Sequence, residues 1–230
     1  MKLLIFDIDG TLTKLDGATR RAFDAAYMKV FGIHAVTGTL KLHGRTDSMI
    51  LRELHELSGL PDPFEQNFER FRDVYLEALP RSIADTPGAQ LQPGIADLLD
   101  ALDARRDEAA LALGTGNMEA GARIKIGHFG LNRYFPVGGF GDVHKRRADI
   151  MFDAVRHATE FYGMEFAPAE TWVIGDTTLD IEGGKLANLK TMGVATGGAY
   201  TADDLRASCA DVVFDNLSDT TAVLRAFELD

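Results

Sequence analysis

Three short stretches hold residue types that can do chemistry together: Asp7-Ile8-Asp9-Gly10-Thr11, Gly114-Thr115-Gly116-Asn117 and Gly175-Asp176-Thr177-Thr178-Leu179-Asp180. Each follows a short apolar run, at 2–6, 109–113 and 171–174, of the kind that forms a strand buried on both faces. In open α/β sheets, ligands gather at the carboxyl ends of the strands. Side by side, these tips would bring Asp7, Asp9, Asp176 and Asp180 into one pocket. Carboxylates crowded in this way repel one another unless a cation sits among them. A donor set of hard oxygens without His or Cys favours Mg2+, which is commonly shared with a substrate phosphate. Taken singly, each of these residues has a plainer reading, because Asp and Thr also serve as turn residues and helix caps.

The elements that must position the tips alternate. Further strand-like runs lie at 191–195 and 211–214, and helical patterns at 95–102, 149–161, 179–187 and 222–227. Strands alternating with helices imply a parallel sheet covered on both faces. Residues 14–88 break the alternation and read as wholly helical. One helix carries Ala22, Ala25, Ala26, Val30 and Phe31 and stops at Gly32. A second is capped by Thr46 or Asp47, carries Ile50, Leu51, Leu54 and Leu57, and ends at Gly59. A third starts near Pro63, and its stripe of Phe64, Phe68, Phe71, Tyr75 and Leu79 reads as packing core. The segment 85–94, with two Pro and two Gly, reads as a hinge. The expectation is an α/β fold: a Rossmann-like parallel-sheet core of residues 1–13 and 89–230, with an all-helical cap domain of residues 14–88 inserted after the first strand.

FDIDGT, GTGN and GDTTLDI, in this order, resemble the motifs of the haloacid-dehalogenase superfamily. With the helical insertion after the first motif, the chain is similar to the phosphoglycolate-phosphatase-like members over essentially its whole length. GVATGG at 193–198 and DVVFDNLSD at 211–219 add to the likeness. The resemblance implies that Asp7 is the nucleophile that takes up the phosphoryl group. It makes Asp9 the acid and base for the leaving oxygen and the hydrolytic water. Gly10 would give the tight turn that brings both carboxylates to one phosphoryl group. Thr115, the Gly116 N–H and Asn117 would seat the phosphoryl oxygens. Asp7, the Asp9 backbone carbonyl and Asp176 would hold Mg2+, with Asp180 either a further ligand or a support. An acid at position 9 favours phosphate esters over organohalides, because an alkoxide needs a proton to leave and a halide does not.

The family's third motif supplies a cation, usually in a Lys-Pro pair that this sequence lacks. The candidates lie in Asp142-Val143-His144-Lys145-Arg146-Arg147. Lys145 fits the spacing into the following helix, and Arg147 fits a form reading FGxxHxxR. Arg would clamp two oxygens, whereas Lys would act as a point charge. The insertion would cover the site and read the leaving group, and Arg45, in His43-Gly44-Arg45-Thr46-Asp47, is the cap residue expected to touch substrate. No set of His residues has metal-ligand spacing, so His43 and His144 read as structural.

The chain has 230 residues and a formal net charge of −11, with 46% hydrophobic and 26% charged residues. These are globular values. The acid excess discourages nucleic acid and membrane surfaces as partners. The single cysteine, Cys209, excludes an intrachain disulfide and reads as a small buried hydrophobe. No apolar run approaches the roughly 20 residues of a membrane span or makes a secretory leader. The expected protein is a cytoplasmic, Mg2+-dependent hydrolase, a monomer or homodimer, acting on a small phosphorylated metabolite. The alternatives are a sugar-phosphate phosphomutase of the same fold and a non-catalytic binding protein on a retained fold.

Overall fold

The computed structural model describes residues 1–35, 44–60, 63–142, 144 and 146–229. Six strands form one parallel sheet in the order β5-β4-β1-β6-β7-β8. They are β1 (Lys2–Phe6), β4 (Ala109–Gly114), β5 (Val137–Gly139), β6 (Thr171–Gly175), β7 (Lys190–Val194) and β8 (Val212–Phe214). β1 is central, with Phe6 in register with Leu113 of β4 and Ile174 of β6. The chain runs from β1 outward to β4 and β5, then returns to the other side of β1 for β6 to β8. The three polar tips therefore meet at the switch point, where such sheets bind ligands.

Alternate side chains of the central strands feed two cores, as the two-residue period of a strand requires. Leu4, Phe6, Leu111, Leu113, Trp172 and Ile174 pack on one face with the helix α4 (Ile95–Asp103) and the helix α9 (Thr220–Ala226). Leu3, Ile5, Ala110, Ala112 and Val173 pack on the other with Ile150, Met151, Ala154 and Ala158 of α6 (Arg147–Tyr162). The remaining helices of this unit are α5 (Glu119–Gly127), α7 (Thr178–Leu186) and α8 (Ala202–Ala207).

A third core lies in the insertion. It joins Ala22, Phe23, Ala26 and Tyr27 of α1 (Ala18–Phe31), Leu51 and Leu54 of α2 (Asp47–Leu57), and Phe71, Tyr75, Leu79 and Ile83 of α3 (Phe64–Ala84). The i, i+4 spacing of 71, 75, 79 and 83 puts the α3 set on one face. The rings of Phe23 and Phe71 lie 4.4 Å apart. Gly32 ends α1 at φ +70°, a conformation open to glycine without strain, and the Thr46 hydroxyl caps α2 by accepting from Met49 N.

Some sequence expectations need correction. The insertion is joined to the sheet unit by a short antiparallel ribbon, β2 (Thr13–Lys14) with β3 (Gln90–Leu91), where only helix and loop were expected. Two-residue strands carry too little pattern to be read from sequence. β5, α5 and α8 were also not anticipated. β5 reads Val-Gly-Gly because a Cβ at Gly138 would lie 2.8 Å from the Leu113 Cβ, and one at Gly139 would lie 1.9 Å from the Ile150 carbonyl oxygen. Cys209 is exposed, in a left-handed turn after α8, and is not a core residue. Among the described residues, no helix is long and apolar enough to cross a membrane.

Candidate active site

The site begins where β1 ends. Asp7 continues the parallel ladder, its N–H donating to the Ile174 carbonyl, and its buried side chain meets Arg147 Nη2 at 2.7 Å. The backbone then turns through Gly10 at φ +91°. A Cβ there would lie 2.4 Å from Asp176 Oδ2, so only glycine fits both the turn and its neighbour. The turn places Asp9 in the same cavity as Asp7. Thr11 closes the turn by donating its hydroxyl to Asp176 Oδ1 at 3.1 Å.

The second tip follows β4. Thr115 is fully buried against the cavity, and its hydroxyl oxygen accepts from Asn117 Nδ2 at 2.7 Å. A Cβ on Gly116 would stand 2.4 Å from the Arg45 carbonyl, so glycine admits the insertion's loop against this tip. That loop is fastened by Asp47 N to the Gly116 carbonyl at 2.9 Å and by Ser48 Oγ to the Gly141 carbonyl at 2.9 Å. Asp47 Oδ2 also accepts from Met118 N at 3.0 Å, supplying a residue of the insertion as a cap for α5.

The third tip follows β6. Asp180 is fully buried in the first turn of α7 and forms a capping box with Thr177. Its Oδ2 accepts from Thr177 N at 3.1 Å and Thr177 Oγ1 at 2.7 Å. Its Oδ1 accepts from Arg147 Nε at 2.8 Å and from Arg147 Nη2. Both Asp180 oxygens thus accept hydrogen bonds, and Asp180 fixes the guanidinium of Arg147. Arg147 opens α6 and threads past Gly183 of α7, where a Cβ would lie 2.7 Å from its Cγ. It is the buried cation that bridges the first and third tips. Arg146 points outward to Asp149, and Lys145 and His43 lie outside the described residues. His144 pairs with Asp153.

Asp7, Asp176 and Asp180 each offer a carboxylate oxygen, all within 4.8 Å of one another. Burial pushes Asp7 up to about 6; the Arg147 charge opposes this, and Asp180 and Asp9 add to it. Burial drives Asp176 well above the usual carboxylate range, with Asp7 and Asp180 adding. Burial opposes the charge on Arg147, but Asp180 and Asp7 outweigh it and hold the guanidinium protonated. With all three carboxylates ionised beside the one guanidinium, two negative charges are left, the complement of a divalent cation. No described side chain donates to Asp7 Oδ2 or to Asp176 Oδ2. The donor set therefore fits a hard ion such as Mg2+, held by Asp7 and Asp176.

The cavity over these groups has a volume of about 740 Å3. Its floor is the three tips, and its roof includes Lys14, Phe23, Arg45 and Ile50 from the insertion and its hinge. Arg45 reaches it while paired with Glu53 at 2.6 Å.

A model of the haloacid dehalogenase-like hydrolases matches residues 4–194. The chain belongs to this family. A haloacid dehalogenase-like fold of the same extent is seen in solved structures. A hydrolase from Pseudomonas syringae superposes with a TM-score of 0.72 at 22% identity, covering 98% of this chain and 99% of that one. A predicted phosphoglycolate phosphatase from Haemophilus somnus 129pt gives 0.71 at 19%, covering 97% of each. A protein from Thermotoga maritima, provisionally assigned as a beta-phosphoglucomutase, gives 0.63 at 20%, covering 98% and 99%. Identities this low carry the fold and nothing finer. No curated protein matches the chain.

One residue of this haloacid dehalogenase-like site was missed in the sequence. Lys125 of α5 is 1% exposed, and its Nζ meets Asp9 Oδ2 at 2.6 Å and the Asn117 side-chain carbonyl. A signal existed: Lys125 shares the buried face of α5 with Ala122 and Ile126, and an unpaired lysine does not stay on such a face. The sequence marks Asp47 only as a possible helix cap. Burial pushes its carboxyl up to about 6, with Lys125 and the Met118 N–H opposing.

Proposed function

We propose that the protein is a Mg2+-dependent phosphatase that hydrolyses a small phosphate monoester, phosphoglycolate-like, through an aspartyl-phosphate on Asp7. The observation that carries this reading is the pair Asp7 and Asp9 on one tight turn, in a roofed cavity with Arg147 and Thr115. Asp7 is buried beside a fixed cation, so its carboxylate can approach an anionic ester. In this reading Thr115 O–H and the Gly116 N–H hydrogen-bond the phosphoryl oxygens as charge shifts during transfer. Asp9 gives a proton to the leaving oxygen and later takes one from the attacking water. Asp180 keeps Arg147 aimed at Asp7. When bound at Asp7 and Asp176, Mg2+ supplies charge neutralisation for nucleophile and phosphate. The roof residues line the space that the leaving group must fit.

The test is a panel of phosphate esters, including phosphoglycolate and sugar phosphates, assayed for inorganic phosphate with Mg2+ and with EDTA. The expected result is Mg2+-dependent phosphate release, fastest for a small ester. Conversion of a sugar phosphate to its isomer without net phosphate release would instead establish a mutase, and no turnover of any ester would contradict both.

A further inference from the structure

Asp9 has two oxygens in unequal surroundings. Oδ2 accepts from Lys125 Nζ at 2.6 Å and from Asn117 Nδ2 at 2.8 Å. Among the described residues, none donates to Oδ1. Asn117 is tied in turn to Thr115 Oγ1 at 2.7 Å, and its own carbonyl accepts from Lys125. The Lys125 side chain is buried to 1% exposure, whereas Asp9 is 42% exposed, its open edge in the cavity. A carboxylate oxygen with both lone-pair directions already facing N–H donors has no place for a proton of its own.

We infer that Lys125 is a positioning residue for proton transfer: with Asn117 it occupies Asp9 Oδ2, so that any proton Asp9 carries sits on Oδ1, the oxygen turned toward the substrate. The inference rests on the phosphatase reading of Asp7 and Asp9. In the first half-reaction an Asp7 oxygen bonds to phosphorus, the bond from phosphorus to the ester oxygen breaks, and that oxygen takes its electron pair and the proton from Asp9 Oδ1. In the second, a water oxygen bonds to phosphorus, its proton passes to Asp9 Oδ1, and the bond between phosphorus and Asp7 breaks to release phosphate. Without Lys125 the carboxyl is free to turn, and the proton is on the wrong oxygen part of the time.

The consequence is specific to leaving-group basicity. A strongly basic leaving oxygen needs the proton, whereas a weakly basic phenolate leaves without it, and kcat/KM reports the first half-reaction alone. Lys125→Met should therefore lower kcat/KM by about 100-fold for phenyl phosphate, within the usual range for acid catalysis, and by less than about threefold for 2,4-dinitrophenyl phosphate. The ratio of the two rates does not depend on the fraction of folded enzyme, and Lys125→Gln gives a second variant if the first does not fold. Asp9→Asn should show the same dependence on the leaving group, and adding Lys125→Met to it should change little further. An equal loss across the aryl series in the Lys125 variants, with a graded loss in Asp9→Asn, would overturn the positioning role and leave the phosphatase reading intact. An ungraded loss in Asp9→Asn would overturn the acid role of Asp9 and the inference with it.

Discussion

At the scale of residues, Arg147 links two buried carboxylates and supplies the cation that faces both of them. Its Nη2 meets Asp7 at 2.7 Å, while Nε meets Asp180 at 2.8 Å. Removing one member of a buried ionic group strands the others in low dielectric, which typically costs about 3–5 kcal/mol. Arg147→Met should lower the stability of the metal-free protein by about 3 kcal/mol in urea unfolding and abolish ester hydrolysis. An unchanged midpoint with retained turnover would show that Asp7 and Asp180 do not depend on this cation. Asp180 belongs to the same argument. Its two oxygens accept from Arg147 and from Thr177, so it fixes the guanidinium and starts α7.

At the scale of elements, the runs at 2–6, 109–113 and 171–174 were legible because continuous apolar segments of strand length ending in Asp or Gly have few other structural solutions. The tips were legible for the same reason, since polar Gly-rich sequence at strand ends marks the ligand-binding edge of a parallel sheet. The i, i+4 rows of α3 were equally clear. What escaped was structure made by contact rather than by pattern. β5 is a three-residue Val-Gly-Gly strand whose glycines answer to Leu113 of β4 and to α6, partners outside the strand's own pattern. Lys125 carries no motif, and only the buried face of α5 shows that it must be paired. Asp47 reads locally as a helix-start residue, and its hold on Met118 N appears only when the insertion meets the sheet unit. Cys209 is small and apolar by type, yet its left-handed turn puts it outside the core.

At the scale of the whole molecule, the net charge of −11 gives little hint of a site whose chemistry is set by local balance. Asp7 and Asp47 are each held at about 6 by burial, and burial also raises Asp176 well above the usual carboxylate range. A raised carboxyl binds its proton in the folded state while the unfolded chain has already lost it. In the window from the ordinary value near about 4 up to about 6, the folded state therefore holds more protons, and stability falls as pH rises. The metal-free protein should unfold at a higher temperature at pH 5.5 than at pH 8. Mg2+ bound at Asp7 and Asp176 should reverse this, because it would hold the charged forms and compete with protons. A saturating ion should raise Tm by about 5 °C at pH 8 and by much less at pH 5.5. Equal Mg2+ shifts at both pH values would show that the ion binds away from Asp7 and Asp176.

The central claim is that Asp7 carries the phosphoryl group during turnover. Acid quenching of the enzyme within its first turnovers of p-nitrophenyl phosphate, followed by mass spectrometry of the peptide spanning β1 and the turn, reads this directly. The account predicts a phosphoryl adduct on Asp7 in the wild-type enzyme and none in Asp7→Asn, together with loss of turnover in that variant. Turnover with an unmodified Asp7 throughout, or an adduct on a different residue, would contradict it.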